Sequence, residues 1–283
     1  MNLSRAEADI YVPAGGDPGV ALGRVTPLCL GAHQDDIEIM AHTAICECLD
    51  KPISRAFGGV VVTDGAKSSQ AGPYANKSDE EMKVIRREEQ RRAAELGRYA
   101  IQVQLAHPSA QVKDGQATEV KADLAEIFAG CTFRKVLVHN PMNKHDTHVA
   151  VLLRSLAVMR DLPRERRPEQ VLGVEVWRGL DWLVEEDKIA LDTGQRPELR
   201  VQLLEVFDSH IFGGKRYDLA TEGRRAANAT YHHAHESDQM AGLSWAMDLT
   251  PLLDDPTRDL ADYALGYVDR LREDVASRIE RMT

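Results

Sequence analysis

The chain has 283 residues, of which 43% are hydrophobic, which is enough for a substantial core. Its 45 acidic and 35 basic residues give a formal net charge of −10, spread along the chain, and such a surface repels the phosphates of nucleic acid. Because no apolar run has the length of a signal peptide or a membrane span, we expect a cytoplasmic protein with no membrane span and no nucleic-acid partner.

Short apolar runs alternate with longer helix-like stretches through the first half of the chain. The runs cover residues 27–32, 58–63, 101–105 and 135–140, and helices are expected at 37–49, 78–96 and 119–129. The helix from Ser78 has the clearest ends, with a serine N-cap, acids in its first turn and Gly97 after its last turn. The side chains expected on its solvated face are Arg86, Glu89, Arg92 and Glu95. The alternation predicts an α/β fold of βα units around a mostly parallel sheet flanked by helices.

The second half of the chain has a weaker pattern. A strand is predicted at residues 171–177, helices at 198–207 and 217–234, and a C-terminal helix from about residue 258. We predict a single α/β domain over residues 1–283, with a core of about 25–235 and a helical extension of about 236–283.

Polar side chains follow the first predicted strand directly. The sequence GAHQDDIE (residues 31–38), which we call the first motif, places His33 and Asp36 where a strand ends and a helix begins. An imidazole and a carboxylate three residues apart can turn toward one point there. In open α/β sheets, ligands bind at the carboxyl ends of the strands, so the first motif stands where a site is expected.

A pair of histidines follows the fourth predicted strand in the sequence HDTH (residues 145–148), the second motif. If a helix begins near Asp146, His148 points back over its first turn and can join His33 and Asp36 as a third ligand. Two histidines and one carboxylate, with an open position for water, are a common ligand set of catalytic zinc, and Fe²⁺ and Mn²⁺ accept the same ligands. The two motifs together therefore predict a divalent metal site, with Zn²⁺ favoured.

Two further side chains of the motifs fit catalysis at such a site. Zinc can lower the pKa of a bound water toward about 7 and polarise a carbonyl. Asp35, next to Asp36, is the natural acceptor of the water's proton, and His145 could protonate an amine leaving group or donate to an oxyanion. Each motif alone also fits a structural role, because adjacent aspartates cap helices and a single HxxH is common. Together, each at the end of a predicted strand, they favour a catalytic metal site that activates water.

The two motifs resemble those of the PIG-L or LmbE-like N-deacetylases, which read AH(P)DDE and HPDH. Between the motifs, VVVTDGAKSS is similar to a strand-to-loop segment with T-x-G, and IRREEQRRAAELG is similar to the family's R-x-x-E-x-x-x-A-A-x-x-L-G helix. LLEVFDSHI resembles a weaker A-L-x-x-H-x-S-Q segment, so the likeness covers roughly residues 27–230.

The resemblance implies a Rossmann-like sheet and the hydrolysis of acetamides of amino sugars. By position, it implies that His33, Asp36 and His148 are the metal ligands. It also implies that Asp35 is the general base and that His145 is the general acid or the oxyanion partner.

The chain departs from the family pattern at several positions. Gln34 replaces the usual proline, and the final glutamate of the first motif is displaced by one position to Glu38. The second motif has Asp and Thr where Pro and Asp usually stand, and Phe207 and His210 stand where His and Gln are typical. None of these changes removes a ligand, and they indicate an outlying subgroup.

Other candidate residues lie outside the motifs. Asp64 and Lys67 follow the second predicted strand, so we expect them at the same rim of the sheet, either as substrate contacts or as ordinary loop residues. His232, His233 and His235 either contact substrate or metal or form a polar helix end. The four cysteines have no CxxC spacing and are expected to be reduced thiols in or near the core.

The leading hypothesis is a metal-dependent hydrolase that removes an acetyl group from an N-acetylated amino sugar or its conjugate. Because no motif recognises a sugar ring, a zinc-dependent amidase or deacylase of a non-sugar small molecule is an alternative. A non-catalytic relative that binds a metal or a small molecule is another. The expected partner is a small-molecule substrate, and the chain could form a homo-oligomer.

Overall fold

The computed structural model describes residues 1–283 and contains one eight-stranded sheet. The strands are β1 (Asp9–Tyr11), β2 (Val25–Gly31), β3 (Ala56–Thr63), β4 (Ile101–His107), β5 (Lys135–His139), β6 (Gln170–Val174), β7 (Ile189–Asp192) and β8 (Leu243–Asp248). Their order across the sheet is β1-β4-β3-β2-β5-β6-β8-β7. The strands β4, β3, β2, β5 and β6 are parallel, whereas β1 at one edge and β8 near the other are antiparallel to the strands beside them.

Helices cover both faces of this sheet. The α-helices are α1 (Pro18–Gly23), α2 (Asp36–Met40), α3 (His42–Asp50), α4 (Asp79–Leu96), α5 (Ser109–Lys113), α6 (Glu119–Gly130), α7 (Asp146–Asp161), α8 (Pro197–Glu205), α9 (Asp208–Phe212), α10 (Tyr217–Thr230), α11 (Pro251–Asp254) and α12 (Leu260–Met282). Along β2, Leu28 and Leu30 belong to one hydrophobic core, while Cys29 between them belongs to a second core. Because alternate side chains of a strand point to opposite faces, both faces are buried, and the predicted α/β fold with a mostly parallel sheet is confirmed.

The strand order reverses between β2 and β5. β3 and β4 lie on one side of β2, whereas β5 and β6 lie on the other. This is the order of a Rossmann-like sheet, in which a crevice forms outside the carboxyl ends of the strands at the reversal. The first motif follows β2 and the second motif follows β5, so both lie at this switch point.

α4 begins as predicted but is packed differently. The Ser78 hydroxyl accepts a hydrogen bond from the Glu81 N–H, and the Glu81 carboxylate accepts one from the Ser78 N–H, which makes a capping box. The predicted solvated face is wrong at Arg86 and Glu89, because both side chains are fully buried. They face α9 and the first motif, where each forms hydrogen bonds with polar or charged groups.

The predicted helical extension of about 236–283 is wrong in part. Residues Leu243–Asp248 form β8, which pairs with β6 and β7 inside the sheet, and only α11 and α12 follow it. The predicted helix at 37–49 is broken at Ala41 into α2 and α3. None of the helices combines the length and the apolar character needed to cross a membrane.

Candidate metal centre and active site

Three side chains of the two motifs converge at the carboxyl ends of β2 and β5. His33 follows β2, Asp36 begins α2, and His148 lies in the first turn of α7. His33 Nδ1 lies 3.1 Å from His148 Nε2, and each of these nitrogens lies 3.5 Å from Asp36 Oδ2. The structure thus brings the three predicted ligands to one point, although His33 and His148 are 115 residues apart.

These distances suit a tetrahedral metal. Zinc bonds of about 2.0–2.2 Å to nitrogen and oxygen place neighbouring ligand atoms roughly 3.3 Å apart. The three ligand atoms are separated by 3.1 Å, 3.5 Å and 3.5 Å. Two imidazoles and one carboxylate are also donors that zinc accepts, so the residues fit the ion.

The electrostatics of the group favours the protonation states of metal ligands. Burial raises the pKa of Asp36, but His148 and His139 outweigh burial and hold this pKa well below its usual value. Burial lowers the pKa of His148 well below its usual value. An ionised carboxylate and a neutral imidazole are the forms that bind a metal. The backbone N–H of His33 also donates to Asp36 Oδ2 at 2.7 Å, which orients this carboxylate.

His139, the last residue of β5, belongs to the same group and was not among the predicted site residues. Its Nε2 lies 3.4 Å from Asp36 Oδ2 and accepts a hydrogen bond from the Ala32 N–H at 3.0 Å. Its ring stacks on the ring of His148, with centroids 3.9 Å apart. Because Ala32 uses the lone pair of Nε2, His139 supports the ligands rather than adding one. The sequence feature that could have predicted it is a histidine at the end of a strand beside the switch point.

Asp35, the predicted general base, adjoins the three ligands. Its φ of 98° lies in the left-handed region, which is strained for a residue with a side chain. Its Oδ2 lies 2.6 Å from Nδ1 of His210 on α9 and 4.0 Å from Nη2 of Arg86. The residue lines the same cavity as His33 and Asp36. Such strain persists only where surrounding contacts enforce it, and it is common at active sites.

A buried network joins α4, α9 and the first motif. Arg86 donates to Glu89 at 2.9 Å, to the Ser209 hydroxyl at 3.1 Å, and to the carbonyl of Gln34. Glu89 in turn accepts hydrogen bonds from the backbone and the hydroxyl of Ser209 at 2.7 Å and 2.8 Å. These bonds fix α9, and with it His210, beside the first motif. The contact of His210 with the first motif was not predicted, because in the sequence His210 is only a departure from a family segment.

His145, the predicted acid or oxyanion donor, is the N-cap residue of α7. Its ring centroid lies 4.8 Å from that of His33 and 4.7 Å from that of His148. His145 forms a potential metal-ligating group with these two histidines, and a second such group comprises Asp36, His139 and His148. Burial lowers the pKa of His145, and a neutral imidazole still keeps one N–H donor.

The centre opens into a cavity of about 710 Å³. The motif residues that line it include His33, Asp35, Asp36 and His145. Lys67 lines it as predicted from its place after β3, and its Nζ lies 2.6 Å from Asp79. Asp64 directly follows β3 at the same rim of the sheet, but it does not line this cavity. Asp64 accepts a hydrogen bond from the Ala66 N–H, lies 3.5 Å from Lys83, and lines a separate, smaller cavity.

The histidine tract at residues 232–235 lies outside this centre. It follows the end of α10, and His232 packs against Trp245 with ring centroids 5.0 Å apart. Neither potential metal-ligating group contains His232, His233 or His235.

The fold and the site together define an α/β protein with a Rossmann-like sheet and a candidate metal centre at its switch point. The family model described as PIG-L, GlcNAc-PI de-N-acetylase, matches residues 28–159, which contain both motifs. The resemblance to the PIG-L family is thereby confirmed over this segment. A comparison with curated proteins gave no significant match.

Solved structures with the same fold include proteins of more than one activity. The 4-carboxy-2-hydroxymuconate hydratase GalB from Pseudomonas putida is 15% identical with a TM-score of 0.58, over 80% of this chain and 96% of that chain. A conserved protein from Thermus thermophilus is 14% identical with a TM-score of 0.59, over 83% and 99% of the two chains. The N,N'-diacetylchitobiose deacetylase from Pyrococcus horikoshii is 17% identical with a TM-score of 0.57, over 78% and 83%. At these identities the likeness establishes the fold, and the chemistry must be argued from the site.

Proposed function

We propose that this chain is a zinc-dependent hydrolase that removes the acetyl group from an N-acetylated amino sugar or its conjugate. The observation that carries the proposal is the convergence of His33, Asp36 and His148 within 3.5 Å of one another, beside a cavity. The match of the PIG-L family model over both motifs supports the same reaction.

In this proposal His33, Asp36 and His148 hold the ion. A zinc ion bound there would supply a Lewis acid that polarises the amide carbonyl and lowers the pKa of a water. Iron or manganese would suit the same three ligands, so the native metal is part of the test.

The other residues of the site provide the proton transfers. Asp35 accepts the proton of the attacking water through the carboxylate that His210 orients. His145, whose ring lies beside both histidine ligands, delivers a proton to the amine leaving group or donates to the oxyanion. Amide hydrolysis requires a base and an acid, and here they come from the first and the second motif. A site that only stores a metal requires neither.

The walls of the cavity favour a sugar substrate. Trp177 and Tyr217 line it, and the Trp177 ring lies 5.8 Å from those of both His145 and Tyr217. Flat aromatic faces beside polar groups suit the apolar face of a sugar ring. The volume of about 710 Å³ is within the usual range for small-molecule sites and large enough for a disaccharide-sized ligand.

Two alternatives predict different outcomes in a substrate screen. An amidase of non-sugar compounds would use the same metal centre but would release no acetate from N-acetyl sugars. A non-catalytic relative would bind zinc and turn over nothing. The possible homo-oligomer stays a prediction, because it depends on contacts between chains.

The test is acetate release from a panel of N-acetyl sugars and N-acetyl amino acids by protein of known zinc content. We expect release from at least one sugar, its loss after treatment with a chelator, and its recovery on addition of zinc. Asp35→Asn, which keeps the shape of the side chain, serves as the matched inactive enzyme. Turnover that survives complete metal removal, or a panel in which only non-sugar amides react, would refute the proposal in this form.

A further inference from the structure

The cavity beside the metal centre is basic, although the chain has a net charge of −10. The lining residues with positively charged side chains are Lys67, Lys113, Lys215 and Arg224. The only carboxylates that line it belong to Asp35 and Asp36, both of which are assigned to the metal centre. A cleft lined by one sign of charge concentrates solutes of the opposite sign. The walls away from the metal centre therefore favour an anion.

Two of these cations lie on the same wall. Lys215 Nζ lies 5.7 Å from the centre of the Trp177 ring. Arg224 donates a hydrogen bond to the carbonyl of Val176, the residue that precedes Trp177. We call Lys215, Arg224 and Trp177 the cationic wall. Because the Trp177 ring lies 5.8 Å from that of His145, the wall adjoins the residue proposed to serve the leaving amine.

No acid forms a salt bridge with the cationic wall. Neither of its cations has a carboxylate oxygen within 4.0 Å. Both acids of α10 are occupied by other arginines, Asp218 by Arg216 at 2.7 Å and Glu222 by Arg200 at 2.7 Å. Glu175, one residue before Val176, accepts two hydrogen bonds at Oε1, from the Asn228 side chain and the Trp245 N–H. Burial raises the pKa of Glu175 and the positive charge of Arg224 opposes that rise, so Glu175 is the acid that acts on Arg224 from beyond salt-bridge distance. The two cations are thus available to a ligand.

We propose that the cationic wall binds an anionic group of the substrate, a phosphate or a carboxylate, while the N-acyl group lies at the metal centre. This inference rests on the proposed deacetylase function and names the class of its substrate. A guanidinium binds either anion through two parallel hydrogen bonds, and an ammonium adds a compact charge. Trp177, in contact with both Lys215 and His145, offers its face to the uncharged part of the substrate.

The first test compares sugars that differ in charge. N-acetylglucosamine, its 6-phosphate and N-acetylmuramic acid present no anion, a phosphate and a carboxylate. We expect kcat/KM for acetate release to be at least tenfold higher for one of the anionic sugars than for N-acetylglucosamine at low ionic strength. This preference should shrink in about 0.5 M salt, because salt screens the attraction. The anion that is preferred shows which of the two charged groups the cationic wall binds better.

The second test uses variants of Lys215 and Arg224 to show whether the cationic wall causes the preference for anionic sugars. Lys215→Gln and Arg224→Gln should each lower the ratio of anionic to neutral kcat/KM about tenfold, whereas Lys215→Arg keeps the charge and should keep the ratio. The matched control is Lys51→Gln, which removes the same charge from an exposed residue after α3. A ratio is used because it does not depend on how much of each variant is folded.

Equal kcat/KM for all three sugars, or a ratio that neither glutamine variant changes, would overturn the inference. If no sugar releases acetate, the proposed function has failed, and the cationic wall is tested separately by calorimetry. Tighter binding of glucosamine 6-phosphate than of glucosamine, weakened by Lys215→Gln, would support the wall without any turnover. Equal binding of the two compounds would refute it.

Discussion

Nδ1 of His210 lies 2.6 Å from Oδ2 of Asp35, although the two residues are 175 positions apart in the chain. Burial and the neighbouring Arg86 lower the pKa of His210, while Asp35 opposes both. The contact holds the carboxylate of the proposed base in one orientation.

Removing the imidazole should slow the reaction without removing the metal. We expect His210→Ala to lower kcat about 10- to 100-fold with a small change in KM, as is usual when a supporting hydrogen bond of a catalytic site is lost. His210→Gln keeps an amide donor and should restore most of the rate. The measurements are steady-state kinetics and zinc content for both variants. An alanine variant that matches the wild type would show that His210 does not orient the base.

Asp35 itself should be essential for turnover and dispensable for binding zinc. Asp35→Asn removes the proton acceptor, and asparagine tolerates the left-handed backbone at this position. We expect kcat to fall by about 10²- to 10⁴-fold, the usual contribution of a general base. Zinc content should equal that of the wild type. A full rate would exclude Asp35 as the base, and a loss of zinc would indicate a ligand instead.

The buried pair of Arg86 and Glu89 should contribute strongly to stability. Both side chains are fully buried 2.9 Å apart, so Glu89→Ala leaves a buried guanidinium without its carboxylate. We expect the free energy of unfolding in urea to fall by about 3–5 kcal/mol. Glu88→Ala is the control, because Glu88 is exposed and pairs with Arg91 at the surface, and it should change stability by less than about 0.5 kcal/mol. Similar losses for both variants would contradict the account of this network.

Stability should also depend on the charge of His42, which is buried and bonded to the Gln195 carbonyl at 2.8 Å. Burial lowers the pKa of His42 to about 4, below the 6.5 of an unfolded chain. The unfolded state therefore binds more protons between these values, so stability is full above pH 6.5 and is lost as the pH falls toward 4. We expect the protonation of His42 to lower the free energy of unfolding by about 2 kcal/mol between pH 7 and pH 5.

The variant His42→Gln keeps a donor for the Gln195 carbonyl but cannot titrate. Urea unfolding at pH 5, 6, 7 and 8 should show a smaller loss of stability toward pH 5 for this variant than for the wild type. Between pH 7 and pH 8 the free energies of unfolding of the two proteins should change in parallel. Parallel curves over the whole range would mean that the folded pKa of His42 is close to its ordinary value.

The sequence predicted those features that depend on local order along the chain. The first and second motifs each follow a strand, and the carboxyl ends of parallel strands meet, so the sequence pattern alone predicts that His33, Asp36 and His148 form one group. The N-cap at Ser78, with acids in the first turn, is likewise predicted from a few consecutive residues. Each signal lies within a few consecutive residues, at the end of a strand or at the start of a helix.

Contacts between distant elements were beyond the reach of the same reasoning. His139 is the last residue of an apolar strand and His210 lies in a short helix, so neither shows a ligand-like spacing. Arg86 and Glu89 lie on a highly charged helix that resembles a solvated surface until α9 is packed against it. Asp64 does not line the large cavity, and its carboxylate accepts a hydrogen bond from the Ala66 N–H, a detail of one turn that the sequence pattern does not specify.

The most direct test of the central claim is anomalous diffraction at the zinc absorption edge from crystals grown with the metal. The account predicts one strong peak per chain at bonding distance, about 2.0–2.2 Å, from His33 Nδ1, Asp36 Oδ2 and His148 Nε2. A peak elsewhere, or zinc-saturated crystals with no peak between these three atoms, would contradict it.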